Sequence, residues 1–287
     1  MRGTTMEDKK RKTGREKAIG ALLQLFILLF TIGTVYPVLW VFKIAFGSQK
    51  GLAISLSLFP ANPTLENFNY ILFKKPFFSW LLNSFIVSAV TAVIGIFLAA
   101  TAGYAFSRFR FPGRTAGLLS FLITQMFPGT LMMIPLYLIV NWLGLLDNLI
   151  GLIIVYSTSA IPFCVWMLKG YFDTIPKDLE ESALIDGASK GLIFYKIILP
   201  LAKPALAVTA LFSFMTAWNE YILAATFMNR ELSYTLPVAL RNFVGQFAQD
   251  WGLFAAGAIL VSIPIVALFF MLQRYLVSGL TAGSVKG

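Results

Sequence analysis

The chain has 287 residues, 58% of them hydrophobic and 13% charged, where an ordinary soluble domain carries roughly 25% charged residues. So little polar side chain cannot cover a soluble globule of this length, which excludes a cytosolic enzyme, a disordered chain and a secreted scaffold and points to a membrane protein. With no His and one Cys, imidazole triads, His metal centres, internal disulfides and thiolate clusters are excluded as well, and no metal site is expected.

Residues 1–17 form a basic tail that includes Lys9-Lys10-Arg11-Lys12. A net charge of +10 can signal nucleic acid in a soluble protein. Here it predicts topology instead, because basic residues hold loops inside the cell; no nucleic-acid partner is expected. The remainder, 18–287, reads as one transmembrane domain.

A membrane helix needs about 20 mostly apolar residues. Six stretches qualify: Ala18 to Phe42, Phe77 to Ser107, Thr115 to Leu146, Asn148 to Leu168, Pro204 to Phe227 and Trp251 to Gln273. The first follows a basic start, as a signal peptide does. It is too long for one and ends in Tyr36-Pro37 and Trp40 rather than a small-residue cleavage site, so it is read as retained. Trp40, Trp80, Trp142 and Trp251 fall near span ends, where aromatic rings favour the membrane interface. Six spans place both termini on one side. Segments on that side carry 17 of the 23 Lys+Arg, which predicts cytoplasmic termini and a cell-membrane location. The outer loop around Pro60-Ala61-Asn62-Pro63 is expected to be irregular.

Within the second span Ser84, Ser88, Ala92, Gly95, Ala99 and Gly103 recur every three or four residues. They predict a small-residue face on which another helix packs closely. Pro128, Pro135, Pro162 and Pro264 lie inside spans and predict bends.

The segment 173–203 is too long for a simple connection. It holds Asp173, Asp178, Glu180, Glu181 and Asp186, five of the thirteen acids. Pro176 suits a first helical position, the acids suit the positive end of the helix dipole, and Gly187 suits a stop. The pattern predicts a helix of three turns over Pro176 to Asp186, then a second helical piece with Phe194, Ile197 and Ile198 on one face. An acidic first turn argues against a helix lying on an anionic leaflet. Small residues and flanking Gly and Pro suit docking into a partner's groove.

Glu181-Ser182-Ala183-Leu184-Ile185-Asp186-Gly187-Ala188, followed by Phe194, Ile197, Leu199-Pro200 and Pro204, resembles the EAA loop of ABC-importer permeases. The ending Gly279 to Gly287, the length and Trp218-Asn219-Glu220 resemble the smaller permease of maltose-type sugar importers. The resemblance implies an all-α membrane protein with six transmembrane helices, the type I fold of binding-protein-dependent importers, and a cytoplasmic coupling helix. It implies that Glu181, Ser182, Ala183, Asp186, Gly187 and Ala188 dock on an ATP-hydrolysing subunit. It also implies that the tail, 278–287, lies along the ATPase dimer through Gly283, Ser284, Val285, Lys286 and Gly287. The expected partners are a second permease subunit, two ATPase subunits, an extracytoplasmic sugar-binding protein and the lipid bilayer.

No P-loop occurs in the chain, so ATP and Mg belong to a partner, or an ion gradient supplies the energy. Glu220 is the single acid inside a predicted span. Counted along a helix from Pro204 it lies about 24 Å away, toward the outer side. An intramembrane acid faces a cavity or a partner, so Trp218, Asn219 and Glu220 are candidates for lining the translocation path. By the family resemblance, the outer loop with Tyr234, Arg241, Asn242 and Phe243 is the candidate contact for the binding protein; an interfacial loop with Phe243 and Phe247 on the headgroups is the other reading. The leading expectation is a non-enzymatic permease subunit of a sugar importer working by alternating access. The alternatives are a self-sufficient secondary transporter driven by an ion gradient and an intramembrane enzyme. The first would need more intramembrane acids or bases and often a repeat; the second would need clustered acids or His at a membrane face.

Overall fold

A computed structural model describes residues 14–48, 57, 59–60, 62–245 and 249–282. In chain order the helices are α1 Gly14–Ala45, α2 Glu66–Lys74, α3 Phe77–Arg108, α4 Arg114–Met126, α5 Gly129–Trp142, α6 Leu149–Thr174 and α7 Asp178–Ile185. They continue with α8 Lys190–Ile193, a π-helical turn Phe194–Ile198, α9 Leu199–Leu201, α10 Lys203–Trp218, α11 Ile222–Phe227, α12 Leu236–Arg241 and α13 Trp251–Ala282. Among the described residues the pairing of extended backbone is limited to one bridge, Gly47 with Pro63.

Four helices are long and apolar enough to cross a membrane alone: Ile19–Ala45, Phe77–Arg108, Leu149–Thr174 and Trp251–Gln273. The third and fifth predicted spans differ from a simple helix. Arg114–Met126 meets Gly129–Trp142 at 100°. The cause is Pro128, which forces the preceding residue, Phe127, into extended backbone (ψ 128) by clash with its ring. Lys190–Leu201 meets Lys203–Trp218 at 75°, and α10 stops at Trp218, so Glu220 lies in a break before α11 rather than within a continuous helix. Counting each bent pair as one span gives six.

The centre of the bundle is α3 against α6 and α10. Ser84, Ser88, Ala92, Gly95, Ala99 and Gly103 are all buried there. A Cβ on Gly103 would sit 3.1 Å from the Lys169 amide nitrogen, and one on Gly95 would sit 3.5 Å from Ser213 Oγ and 3.7 Å from Cys164 Sγ. The stripe is thus the contact face the spacing predicts, with backbone approaching backbone in place of side chains. By contrast α1 has no buried residue from Ile19 to Phe42 and joins the core at its end through Ile44 and Ala45. Trp80, near a span end, packs inside the protein instead of facing lipid. It is 2% exposed, and its indole donates to the Glu231 carbonyl at 2.8 Å.

Candidate functional site: a braced surface helix and a broken span

The acidic segment folds into α7, shorter than predicted. Its first carbonyl in use is that of Lys177, which accepts from Glu180 and Glu181, so Pro176 stands outside the helix. It ends as Gly187 predicts. Gly187 has φ +83°, its amide donates to Leu184, and the Ala188 amide donates to Ala183. These are the two bonds of a Schellman stop, which needs a left-handed residue just past the helix. The second helical piece appears as α8, the π-turn and α9, with Phe194 and Ile198 buried and Ser189 capping the Leu192 amide.

Of the predicted docking residues, Glu181, Ser182, Asp186 and Gly187 are exposed, while Ala183 and Ala188 are half-buried against the core. The neighbouring Ile185 is 87% exposed. Glu180, absent from that set, turns inward. Its carboxylate pairs with Arg108 at the end of α3 and accepts from the Tyr104 hydroxyl at 2.8 Å. Arg108 also donates to the Ile175 carbonyl at 2.9 Å. Beside it Ser107 donates to Asp173 at 2.6 Å, and Lys169 pairs with Asp173 at 2.7 Å. The helix is therefore bolted to α3 on one side and bare on the other, while α3 is itself tied to the end of α6. Nothing local in the sequence distinguishes Glu180 from Glu181; the presence of Arg108 near a span end was the one available hint.

At the opposite end of the bundle, Glu220 closes the break in the fifth span. Its carboxylate accepts from the Tyr156 hydroxyl at 2.6 Å and from the Leu223 and Ala224 amides at 2.9 and 3.0 Å. Two amides at the start of α11 are thereby satisfied where no preceding turn supplies an acceptor. Trp218 is 1% exposed and stacks on Phe214 at 5.3 Å, so it is a core residue and does not line a path. Asn219 is exposed and Glu220 half-buried.

The loop between the fifth and sixth spans, predicted to lie outside, is held down rather than extended. Asn83 donates to the carbonyls of Leu232 and Tyr234 at 2.9 and 3.0 Å. The Leu236 amide donates to Ser84 Oγ at 2.7 Å, and Lys75 pairs with Glu231 at 3.3 Å. Phe243 is buried, edge-on to Trp80, neither on headgroups nor free for a partner. Tyr234 is half-buried, and Arg241 and Asn242 are exposed. Phe247 and the tail residues Gly283, Ser284, Val285, Lys286 and Gly287 lie outside the described residues. Asn219 and Arg241, predicted in separate sets, line one cavity of about 390 Å³. Among the described residues no group of three His, Cys, Asp or Glu side chains could hold a metal.

Apolar spans broken at defined points, with a short braced helix at one end, define a multi-pass helical membrane protein. The chain belongs to the family of binding-protein-dependent transport system inner membrane components, whose profile matches residues 92–282. It is 40% identical over 267 residues to the galactooligosaccharides transport system permease protein GanQ of Bacillus subtilis (strain 168), covering 92% of this chain and 94% of that one. It is 39% identical over 264 residues to the maltodextrin transport system permease protein MdxG of the same organism, covering 92% and 95%. A bacterial ABC transporter involved in import of the acidic polysaccharide alginate shares the fold, with a TM-score of 0.78 at 24% identity over 93% of this chain and 100% of that one.

Proposed function

We propose that this chain is one of two permease subunits of an ATP-driven carbohydrate importer, with α7 as its coupling helix. The permease names of the relatives, galactooligosaccharide and maltodextrin among them, support carbohydrate as the cargo. One observation carries the coupling role: α7 leaves Glu181, Ile185 and Asp186 open while Glu180 ties the same helix to α3. An apolar side chain bare to this degree, ringed by carboxylates, suits a groove on another subunit. The partners in this reading are a second permease, two ATPase subunits that hold ATP and Mg, and an extracytoplasmic binding protein. The excess of Lys and Arg on the α7 side supports cytoplasmic termini. Arg241 and Asn242 remain open for the binding protein, and Asn219 for the path between the two permeases. The tail, 278–287, is proposed to run along the ATPase dimer.

The test is reconstitution of the co-expressed assembly in proteoliposomes with a panel of maltotriose, trehalose and N,N′-diacetylchitobiose. The expected result is ATP-dependent uptake of at least one panel sugar that requires the binding protein. Ile185→Asp is expected to insert normally yet lose the co-purifying ATPase. Uptake without any ATPase, or full uptake by Ile185→Asp, would overturn the coupling assignment. ATP-driven uptake of none of these sugars would remove the carbohydrate assignment.

A further inference from the structure

The cavity shared by Asn219 and Arg241 lies between the broken fifth span, α12 and α13. Its α13 wall extends from Phe254 to Ile265; counted from Trp251 it reaches about 21 Å down the helix, at about 1.5 Å per residue. The cavity therefore opens at one face and runs to membrane depth. The polar groups on it are the Asn219 amide, the Tyr221 hydroxyl, the Arg241 guanidinium and Ser262. Among the described residues the Asn219 and Tyr221 side chains have no hydrogen-bond partner. Arg241 donates to the Val244 carbonyl and forms no ion pair among the described residues. Ser262 donates to Ile259 at 2.7 Å and keeps its oxygen as an acceptor.

Asn219 and Arg241 are exposed, and at the polar end of the cavity their amide and guanidinium face water or a polar ligand. Among the described residues no acid or His lines the cavity, so it presents no carboxylate or imidazole, and the Arg241 charge opposes a cation. Its chemistry is that of a carbohydrate site. An amide both donates and accepts, a guanidinium presents a planar fork of donors to adjacent hydroxyls, and aromatic rings cover C–H faces. The volume, about 390 Å³, falls in the range of small-molecule pockets, about 300–1,000 Å³. The walls are anchored. A Cβ on Gly257 would overlap Leu240 of α12, which seats α12 on α13, and Ser84 and Glu220 hold the starts of α12 and α11.

We propose that Asn219, Tyr221, Arg241 and Ser262 form a glycosyl-binding subsite on this chain, taking one pyranose unit of the cargo as it leaves the binding protein. The proposal rests on the carbohydrate reading above, and its test separates the two. In the reconstituted assembly Cys164, the sole and buried cysteine, is replaced by Ser. Asn219→Cys and Ser262→Cys are then introduced singly and treated with a hydrophilic methanethiosulfonate, with modification of this chain read by mass spectrometry. Co-purification of the partner permease and ATPase subunits with each variant shows that it is assembled, and uptake by the Cys164→Ser parent identifies the imported sugar. Both cysteines are expected to react, and to react several-fold more slowly with the panel sugar that the assembly imports but not with one it does not. Adding Arg241→Ala is expected to raise the sugar concentration needed for protection about tenfold, as loss of a charged hydrogen bond does. Reactivity unchanged by the sugar that the Cys164→Ser parent imports overturns the subsite alone. So does reaction with a lipid-soluble maleimide but not with the hydrophilic reagent. If no panel sugar is imported, the carbohydrate reading falls and takes the subsite with it.

Discussion

Arg108, the last residue of α3, and Glu180, in the first turn of α7, form an ion pair whose side chains are only 6% and 12% exposed. It joins the central helix of the bundle to its bare surface helix. Removing one partner of a shielded pair strands the other, at about 3–5 kcal/mol when burial is complete. Arg108→Ala is expected to destabilise the assembled permease by somewhat less, because Tyr104 still reaches Glu180. Binding-protein-stimulated ATPase activity is expected to fall with it, and the Arg108→Glu, Glu180→Arg exchange to recover part of the loss. Thermal unfolding and ATPase assays on the same preparations check both; full stimulation in Arg108→Ala would show that the brace transmits nothing.

Gly187 tests whether the stop of α7 is a matter of backbone alone. A Cβ there meets nothing within 4 Å, and its φ is +83°. The cost of a side chain is therefore the left-handed penalty, about 1–2 kcal/mol. Gly187→Val is expected to lose uptake at normal membrane levels, Gly187→Ala to lose less, and Gly187→Asn to stay near wild type, since Asn tolerates this conformation. Equal uptake by Val and Asn variants would remove the conformational explanation.

Gly103 is the opposite case, limited by space. A Cβ would press within 3.1 Å of the Lys169 amide nitrogen, and overpacking of this kind costs about 1–3 kcal/mol. Gly103→Ala is expected to lower the melting temperature of the solubilised protein. Gly20→Ala, with nothing within 4 Å, is expected to leave it unchanged.

The carboxylate of Glu220 satisfies two amides and one hydroxyl at the break in the fifth span. Tyr156→Phe removes a donor to a charged group, worth about 1.5–3 kcal/mol. Glu220→Ala strands all three partners and is expected to destabilise more, with Glu220→Gln between the two because it keeps an acceptor oxygen. Melting temperatures in that order support the capping role; equal values for Ala and Gln would argue against it.

Asp147 gives a pH signature. It holds φ 56°, and its carboxylate accepts from the Asn229 and Arg230 amides at 2.6 and 3.0 Å. Burial raises its pKa, but the amide bonds from Arg230 and Asn229 and the Arg230 charge outweigh burial and hold the carboxyl below its ordinary 3.8. A folded value below the unfolded one adds stability at neutral pH that disappears as pH falls below 3.8 through the depressed value. Asn keeps the left-handed preference but not the charge. The melting-temperature gap between wild type and Asp147→Asn is expected to be largest near neutrality and to close in acid. A gap independent of pH would exclude the charge as its source.

The amino-acid sequence by itself determined that this protein lives in a membrane, where its apolar segments fall, which face of α3 is small and where α7 stops. Each of these is a local property: run length against bilayer thickness, a three-to-four residue period, or one residue able to take positive φ. Tertiary structure alone decided which of two adjacent acids is bolted down. Glu180 and Glu181 differ by one residue, yet helical rotation points one at Arg108 and the other at solvent. It also took Trp218 and Phe243 into the core, moved Glu220 from a helix to a break, and brought Asn219 beside Arg241. Those outcomes depend on which helices become neighbours, and no local pattern carries that information.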